Sequence, residues 1–242
     1  MKNINFILCV LALIAGSCKP KTTFANPMTL SQADTLHTAQ QELTEEEFNS
    51  NPLVSAEDVT RIAPVIKKWT DFYNINFSQA RLVYVDTTCF NCPPTLETNG
   101  IYFRGEKIGE VEDTDKRIDV DYSPDKQRYV DLNVLWGYEE KDGEYEFLGW
   151  DDCQEIYLID RTQKHENMIL FLGSSACADA VFWKSNDIFM IVGYSMNSYN
   201  FVYVFDIAKQ TRSLYNIISD KEDDYPEYMN KVYWKEKGII VK

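Results

Sequence analysis

"VDYSPDKQRYVDLNV" at residues 120–134 and "VFWKSNDIFMIVGYS" at residues 181–195 share one pattern: a hydrophobic-aromatic strand, a polar turn and a second strand. "VYWKEKGIIV" at 232–241 fits the same pattern, which makes Tyr122, Trp183 and Trp234 equivalent positions. The hairpins that follow the first two also match. "EIYLIDRTQKHENMILF" at 155–171 and "FVYVFDIAKQTRSLYN" at 201–216 carry Asp160 and Asp206 at the same place, 46 residues apart, and Trp183 to Trp234 is 51 residues. The longer step from Tyr122 to Trp183 is explained by an inserted hairpin between Trp136 and Trp150.

Working outward, "ARLVYVD", "GIYFRGEKIGEV", "EIYLID", "MILFLG", "IFMIVGYS" and "FVYVFDI" all read as strands, rich in Val, Ile, Tyr and Phe and bounded by turn residues. Asp142-Gly143 marks a tight hairpin turn, because glycine readily takes the positive φ such turns require. Four-strand units of about 40 to 50 residues have the period of propeller blades. The turns "SPDK" and "DIAKQT" look like those of propeller repeats such as the WD40-like and related periplasmic families, without their Gly-His and Trp-Asp signatures. The resemblance implies a mainly β, propeller-like domain of antiparallel sheet repeats: two clear units, a truncated one at the C-terminus and a degenerate one around residues 79–111. A β-sandwich is the alternative, because a ring of fewer than four blades is unusual.

Ahead of the strands, "SAEDVTRIAPVIKKWTDFYN" places Val59, Ile62, Ile66, Trp69 and Tyr73 at spacings of three and four, on one helical face. Ser55 followed by Asp58 resembles a capping box. Pro64 removes a backbone hydrogen bond inside the pattern, so the expectation is a kinked helix, or one starting near Pro64, docked on the β domain.

The first residues, "MKNINFILCVLALIAGSCKP", combine Lys2, an apolar run from Phe6 to Ala15 and small residues ending at Cys18. The run is half the length a membrane-crossing helix needs and reads as a signal peptide. Ala15, Gly16, Ser17 and Cys18 resemble the lipobox of bacterial lipoproteins. That resemblance implies lipidation of the Cys18 thiol, cleavage before Cys18 and acylation of the new amine. Lys19 in place of an aspartate implies the outer membrane, and the lack of an acidic run in "CKPKTT" favours its periplasmic leaflet. The chain thus divides into a signal peptide (1–17), a polar tether (18–54), a helical segment (55–76) and a β-repeat domain (77–242). Read as a coil, the tether spans roughly 30 Å.

The net charge is −14, and cleavage before Cys18 removes one lysine and no acid, making it −15. Nucleic acid and bare anionic membrane are poor partners for such a surface. A basic protein would be attracted, which leaves an acidic inhibitor or immunity-type role open.

Four cysteines lie in the β domain. An oxidising envelope favours disulfides. A hairpin turning near "RTQKH" sets Cys153 opposite Gly173, close enough to Cys177 for a bridge, and leaves Cys89 to pair with Cys92 in "DTTCFNCPPT". A thiol–disulfide active site at Cys89 and Cys92 is the competing reading, although Pro93-Pro94 opens no amphipathic helix to activate it. A four-cysteine zinc site lacks knuckle spacing. The spacing of Asp119, Asp121, Ser123 and Asp125 suggests calcium, but Pro124 stands where that loop requires glycine, so no metal or other cofactor is expected. The two histidines, His37 and His165, have no triad context, and "GSSACA" lacks a nucleophile elbow. The reading is therefore a lipid-anchored, non-enzymatic binding module for a protein, peptide or glycan. Trp136, Tyr138, Tyr145 and Trp150 on the inserted hairpin, with acids nearby, are its candidate binding residues.

Overall fold

The computed structural model describes residues 45–87, 118–132, 137–149, 153–195, 199–218 and 227–241. Among the described residues three short helices come first, α1 (Glu45–Ser50), α2 (Ala56–Ile62) and α3 (Lys67–Tyr73), followed by strand β1 (Arg81–Thr87). The rest is mainly strand. β2 (Asp121–Tyr122) and β3 (Arg128–Asp131) lead to an inserted hairpin of β4 (Gly137–Lys141) and β5 (Glu144–Gly149), then to β6 (Gln154–Asp160) and β7 (His165–Leu172). Next come β8 (Ala176–Trp183), β9 (Ile188–Ser195), β10 (Tyr199–Asp206) and β11 (Thr211–Ile218). A π-helical turn at Met229–Tyr233, α4 (Trp234–Glu236) and β12 (Ile239–Ile240) end the chain.

Two antiparallel meanders result, one ordered β2-β3-β6-β7 and the other β8-β9-β10-β11 with β1 added outside β11. Among the described residues no sheet closes on itself. The two meanders match in register. Tyr122 pairs with Tyr129 as Trp183 pairs with Phe189, and Arg128 pairs with Asp160 as Ile188 pairs with Asp206. Each aspartate then builds the next turn: Asp160 accepts from the amides of Thr162 and Gln163, and Asp206 from that of Lys209. Four residues after each, Lys164 and Gln210 take φ of 53° and 54°. The Arg161 amide donates to the Gln127 carbonyl at 2.9 Å, and Ile207 to Asp187 at 2.8 Å, so each turn leans on the one before it. Arg128 ties the two units together through Asp160 at 3.0 Å and Asp187 at 2.9 Å.

The third unit is not a strand pair. Trp234 lies in α4, and only Ile239–Ile240 is extended, pairing parallel with β5. Tyr228, Met229, Tyr233 and Trp234 are all buried. The helical turn lets Tyr233 reach Asp121 while Trp234 packs on Phe147 of the hairpin.

In β9, Phe189 to Tyr194 is buried without a break, so this sheet is covered on both faces and reads as a continuous apolar run rather than an alternating one. Ile62 of α2, Trp69 of α3 and Ile66 between the two helices, each at 0 % exposure, join the same core. Ser55 Oγ accepts from the Asp58 amide at 3.0 Å and caps α2, and the chain breaks across Pro64 before α3 begins. Burial pushes the Asp58 carboxyl up, but hydrogen bonds from Ser55, Arg61 and Tyr215 outweigh that and hold it below its ordinary value, docking α2 on β11. Residues within the stretch read as tether (18–54) also pack on the β domain. Phe48 is buried and stacks on Tyr199 at 5.6 Å, and the Val54 amide donates to Ala80.

Candidate functional site

The β4–β5 hairpin is an addition to the first meander and stands outside both main sheets, in a separate sheet ordered β12-β5-β4. Asp142 and Gly143 turn it with φ of 55° and 82°, the two positive values its two-residue turn needs. Cross-strand pairs sort its residues by face. Glu139 pairs with Glu146 and Lys141 with Glu144, so these four share one face. Tyr145 and Phe147 point to the other, where they pack against the main core and Phe147 lies 5.0 Å from the Trp234 ring. Glu140, exposed and paired with Tyr145, lies on the aromatic side, so acids occupy both faces while Tyr145 and Phe147 are confined to one. Glu139, Lys141 and Glu144 are exposed, whereas Tyr145 and Phe147 are half-buried.

The C-terminal segment clasps this hairpin to the first sheet. Lys237 Nζ donates to Asp121 Oδ1 and to the Val120 carbonyl, each at 2.9 Å, and sits 4.6 Å from the Tyr233 ring centre. The Tyr233 hydroxyl donates to Asp121 Oδ2 at 2.8 Å. Burial pushes the Asp121 carboxyl above its ordinary value; Lys237 and Tyr233 offset part of the rise but not all of it. The motif that suggested calcium is thus used otherwise, Asp121 by Lys237 and Asp125 by Ser123. Among the described residues no group of three or more His, Cys, Asp or Glu is placed to hold a metal ion.

Of the residues singled out from sequence, Tyr138 pairs in backbone register with Phe147, and Tyr145 with Glu140 and Ile239. Cys18, Cys89, Cys92, Trp136 and Trp150 lie outside the described residues. The Cys153–Cys177 bridge is corrected: both are thiols. The hairpin does set Gln154 against Leu172, which brings Cys153 level with Gly173 as expected. But it is Gln154 that faces β8, bonding the Ala178 amide at 2.8 Å, and strand alternation turns Cys153 the other way. Cys177 is buried opposite Tyr194, its thiol donating to the Ala178 carbonyl at 3.6 Å. Burial pushes this thiol far above its ordinary value, Asp179 adds to the rise, and Tyr194 opposes it. Such a thiol is inert. Alkylation of the native protein is expected to modify Cys153 and to reach Cys177 only after unfolding. Peptide mass spectrometry reads this directly, and a 153–177 bridge or native labelling of Cys177 would refute it.

Sequence reading missed two polar anchors. Trp69 Nε1 donates to Asp179 Oδ2 at 2.9 Å, both residues being fully buried, and Asp121 holds Lys237. Asp179 had a visible signal: a lone acid within the apolar run "ACADAVFW", where β8 bulges between Ala178 and Ala180. No family model, curated protein or solved structure matches this chain.

Proposed function

We propose that this is a lipid-anchored protein of the bacterial cell envelope whose β domain is a non-enzymatic binding module. The anchor rests on the lipobox-like Ala15-Gly16-Ser17-Cys18, and the module on the inserted hairpin. That hairpin is the observation that carries the reading. It interrupts an otherwise regular four-stranded meander and presents an exposed charged face that neither main sheet uses, and additions to a rigid scaffold are where binding residues concentrate. Among the described residues no helix is long and apolar enough to cross a membrane. The matched registers support reading the two meanders as blade-like units in tandem; a sandwich of the same two sheets agrees with them equally.

Two measurements test the proposal. Cells fed a palmitate analogue should label the wild-type chain, and Cys18→Ser should abolish the label and release the protein from the membrane fraction. Envelope extract passed over immobilised protein should yield a partner that Glu139→Lys with Glu144→Lys no longer retains. Persistent labelling of Cys18→Ser would remove the anchor. Equal retention by the charge-reversed hairpin would remove the hairpin, and capture lost entirely in high salt would indicate a basic partner held by net charge.

A further inference from the structure

Four hairpin turns meet at one end of the two meanders: residues 123–127, 161–164, 184–187 and 207–210. Hydrogen bonds join them into a row in the order 161–164, 123–127, 184–187, 207–210. The Arg161 amide donates to the Gln127 carbonyl at 2.9 Å, the Asp125 amide to Asn186 Oδ1 at 3.2 Å, and the Ile207 amide to the Asp187 carbonyl at 2.8 Å. Each turn carries an exposed lysine beside an exposed uncharged polar residue: Lys126-Gln127, Gln163-Lys164, Lys184-Ser185 and Lys209-Gln210. With Arg161 the row holds five cations against Asp125 and Asp187, a net charge of +3 in a chain of −14. Both acids are engaged, Asp125 by the Ser123 hydroxyl and Asp187 by Arg128, whereas Lys126, Lys164 and Lys184 make no ion pair among the described residues. The row is remote from the tether, because Phe48 packs on Tyr199 at the start of β10 and the row begins beyond Asp206 at its end. It is remote from the base of the inserted hairpin too, which follows Asp131 at the other end of β3.

We infer that this row of turns is a docking surface for an extended acidic peptide segment of a partner protein. Neighbouring hairpin turns of one sheet lie two strands, about 10 Å, apart, and an extended chain rises about 10 Å in three residues. Carboxylates at every third position therefore meet successive lysines, while Gln127, Gln163 and Gln210 offer donors and acceptors to the peptide main chain. An evenly charged polymer or lipid surface fits less well, since it sets negative charge against Asp125 and Asp187 as well as against the lysines. Arg161, whose planar fork would suit phosphate, is half-buried with Nη1 donating to the Lys126 carbonyl. The net charge of the chain conceals this surface, because charges more than about 8–10 Å away are largely screened at physiological salt. The inference goes beyond the hairpin reading by adding a second surface of opposite sign.

The full-length protein, 15N-labelled and held in zwitterionic nanodiscs, is titrated with a Gly/Ser decapeptide carrying glutamate at every third position. An isomer with its four glutamates consecutive is the control of equal charge. Saturable shifts of the Lys126, Lys164, Lys184 and Lys209 backbone amides are expected with the spaced peptide. Binding should be about three- to tenfold weaker for the isomer and for Lys164→Gln with Lys184→Gln. Lys67→Gln with Lys235→Gln removes the same charge elsewhere and should bind as the wild type does. All four lysines are exposed, so both double variants should melt near the wild type. No shift at the row overturns the proposal, as does equal binding of the isomer or of the row variant. Tighter binding of tripolyphosphate than of the spaced peptide would assign the row to phosphate. Shifts of the same amides on exchange into phosphatidylglycerol nanodiscs, without peptide, would assign it to a lipid surface. Either result overturns the peptide assignment. Cys18 labelling and hairpin-dependent capture are read separately, so failure here leaves the anchored binding module standing.

Discussion

Gly193→Ala is expected to cost about 3 kcal/mol or more, at the upper end of what overpacking a core does. A Cβ at this position would lie 2.1 Å from the Cys177 carbonyl oxygen, 2.8 Å from the Ala178 Cα and 2.5 Å from Phe201 Cζ. The Phe201 ring can turn aside; the backbone of β8 cannot, because its bulge at Asp179 is held by the Trp69 indole and by Gln154 on both sides of Ala178. The close approach of two strands is thus the reason for glycine in the middle of β9, where a side chain would otherwise add to the core. For a chain of this size the loss corresponds to a melting temperature lower by on the order of 10 °C. Gly143→Ala is the informative control: its φ of 82° strains an alanine, but nothing lies within 4 Å, so a smaller loss is expected. Thermal unfolding of the two variants side by side checks the claim, and a Gly193→Ala midpoint within two or so degrees of wild type would mean that β8 yields.

Lys237→Met should cost about 3–5 kcal/mol at neutral pH, the range for stripping one partner from a buried ion pair. Side chains of Lys237 and Asp121 are 12 % and 19 % exposed, so removing the ammonium leaves a carboxylate with little water to replace it. The intact pair is not itself a source of net stability. Burial raises the Asp121 carboxyl above its ordinary value even with Lys237 and Tyr233 present. A carboxyl raised on folding contributes stability that is full below the unfolded-state value and is lost as pH rises through the folded one. Without Lys237 the folded value climbs further. The deficit of Lys237→Met against wild type should therefore be largest near neutrality and shrink on acidification as Asp121 takes up its proton. The double variant Asp121→Leu with Lys237→Met should recover most of the loss, since two apolar groups replace the pair. Chemical denaturation across pH measures both effects, and a deficit that does not vary with pH would assign the loss to packing of the lysine stem instead.

The consequences reach the candidate site. Lys237 and Tyr233 fasten the C-terminal segment to β2, and that segment carries Trp234 under the hairpin and β12 along its edge. Loosening the clasp should therefore expose Phe147 and Trp234 together.

What the sequence determined by itself was local chemistry. Asp142-Gly143 specifies a turn because few residues accept two successive positive φ values, and Ser55 starts a helix because its hydroxyl reaches an amide three residues on. Asp160 and Asp206 close equivalent turns through bonds that span three residues at most. These elements together carried the mainly β class and the two matched units. The third unit was legible only as a pattern of apolar and polar residues, which a strand pair and a helical turn satisfy alike over ten residues. Packing of the segment under the hairpin decided it: Met229–Tyr233 and Trp234–Glu236 are helical, with Tyr233 and Trp234 both buried. The fate of Cys153 and Cys177 depended on which of two adjacent side chains faces β8, a matter of one residue in strand phase. Asp121 finds Lys237 across 116 positions and Trp69 finds Asp179 across 110. Such partners are chosen by the packing of whole sheets and helices, where desolvation makes a buried charge or indole seek the one group within reach, and no spacing along the chain records that choice.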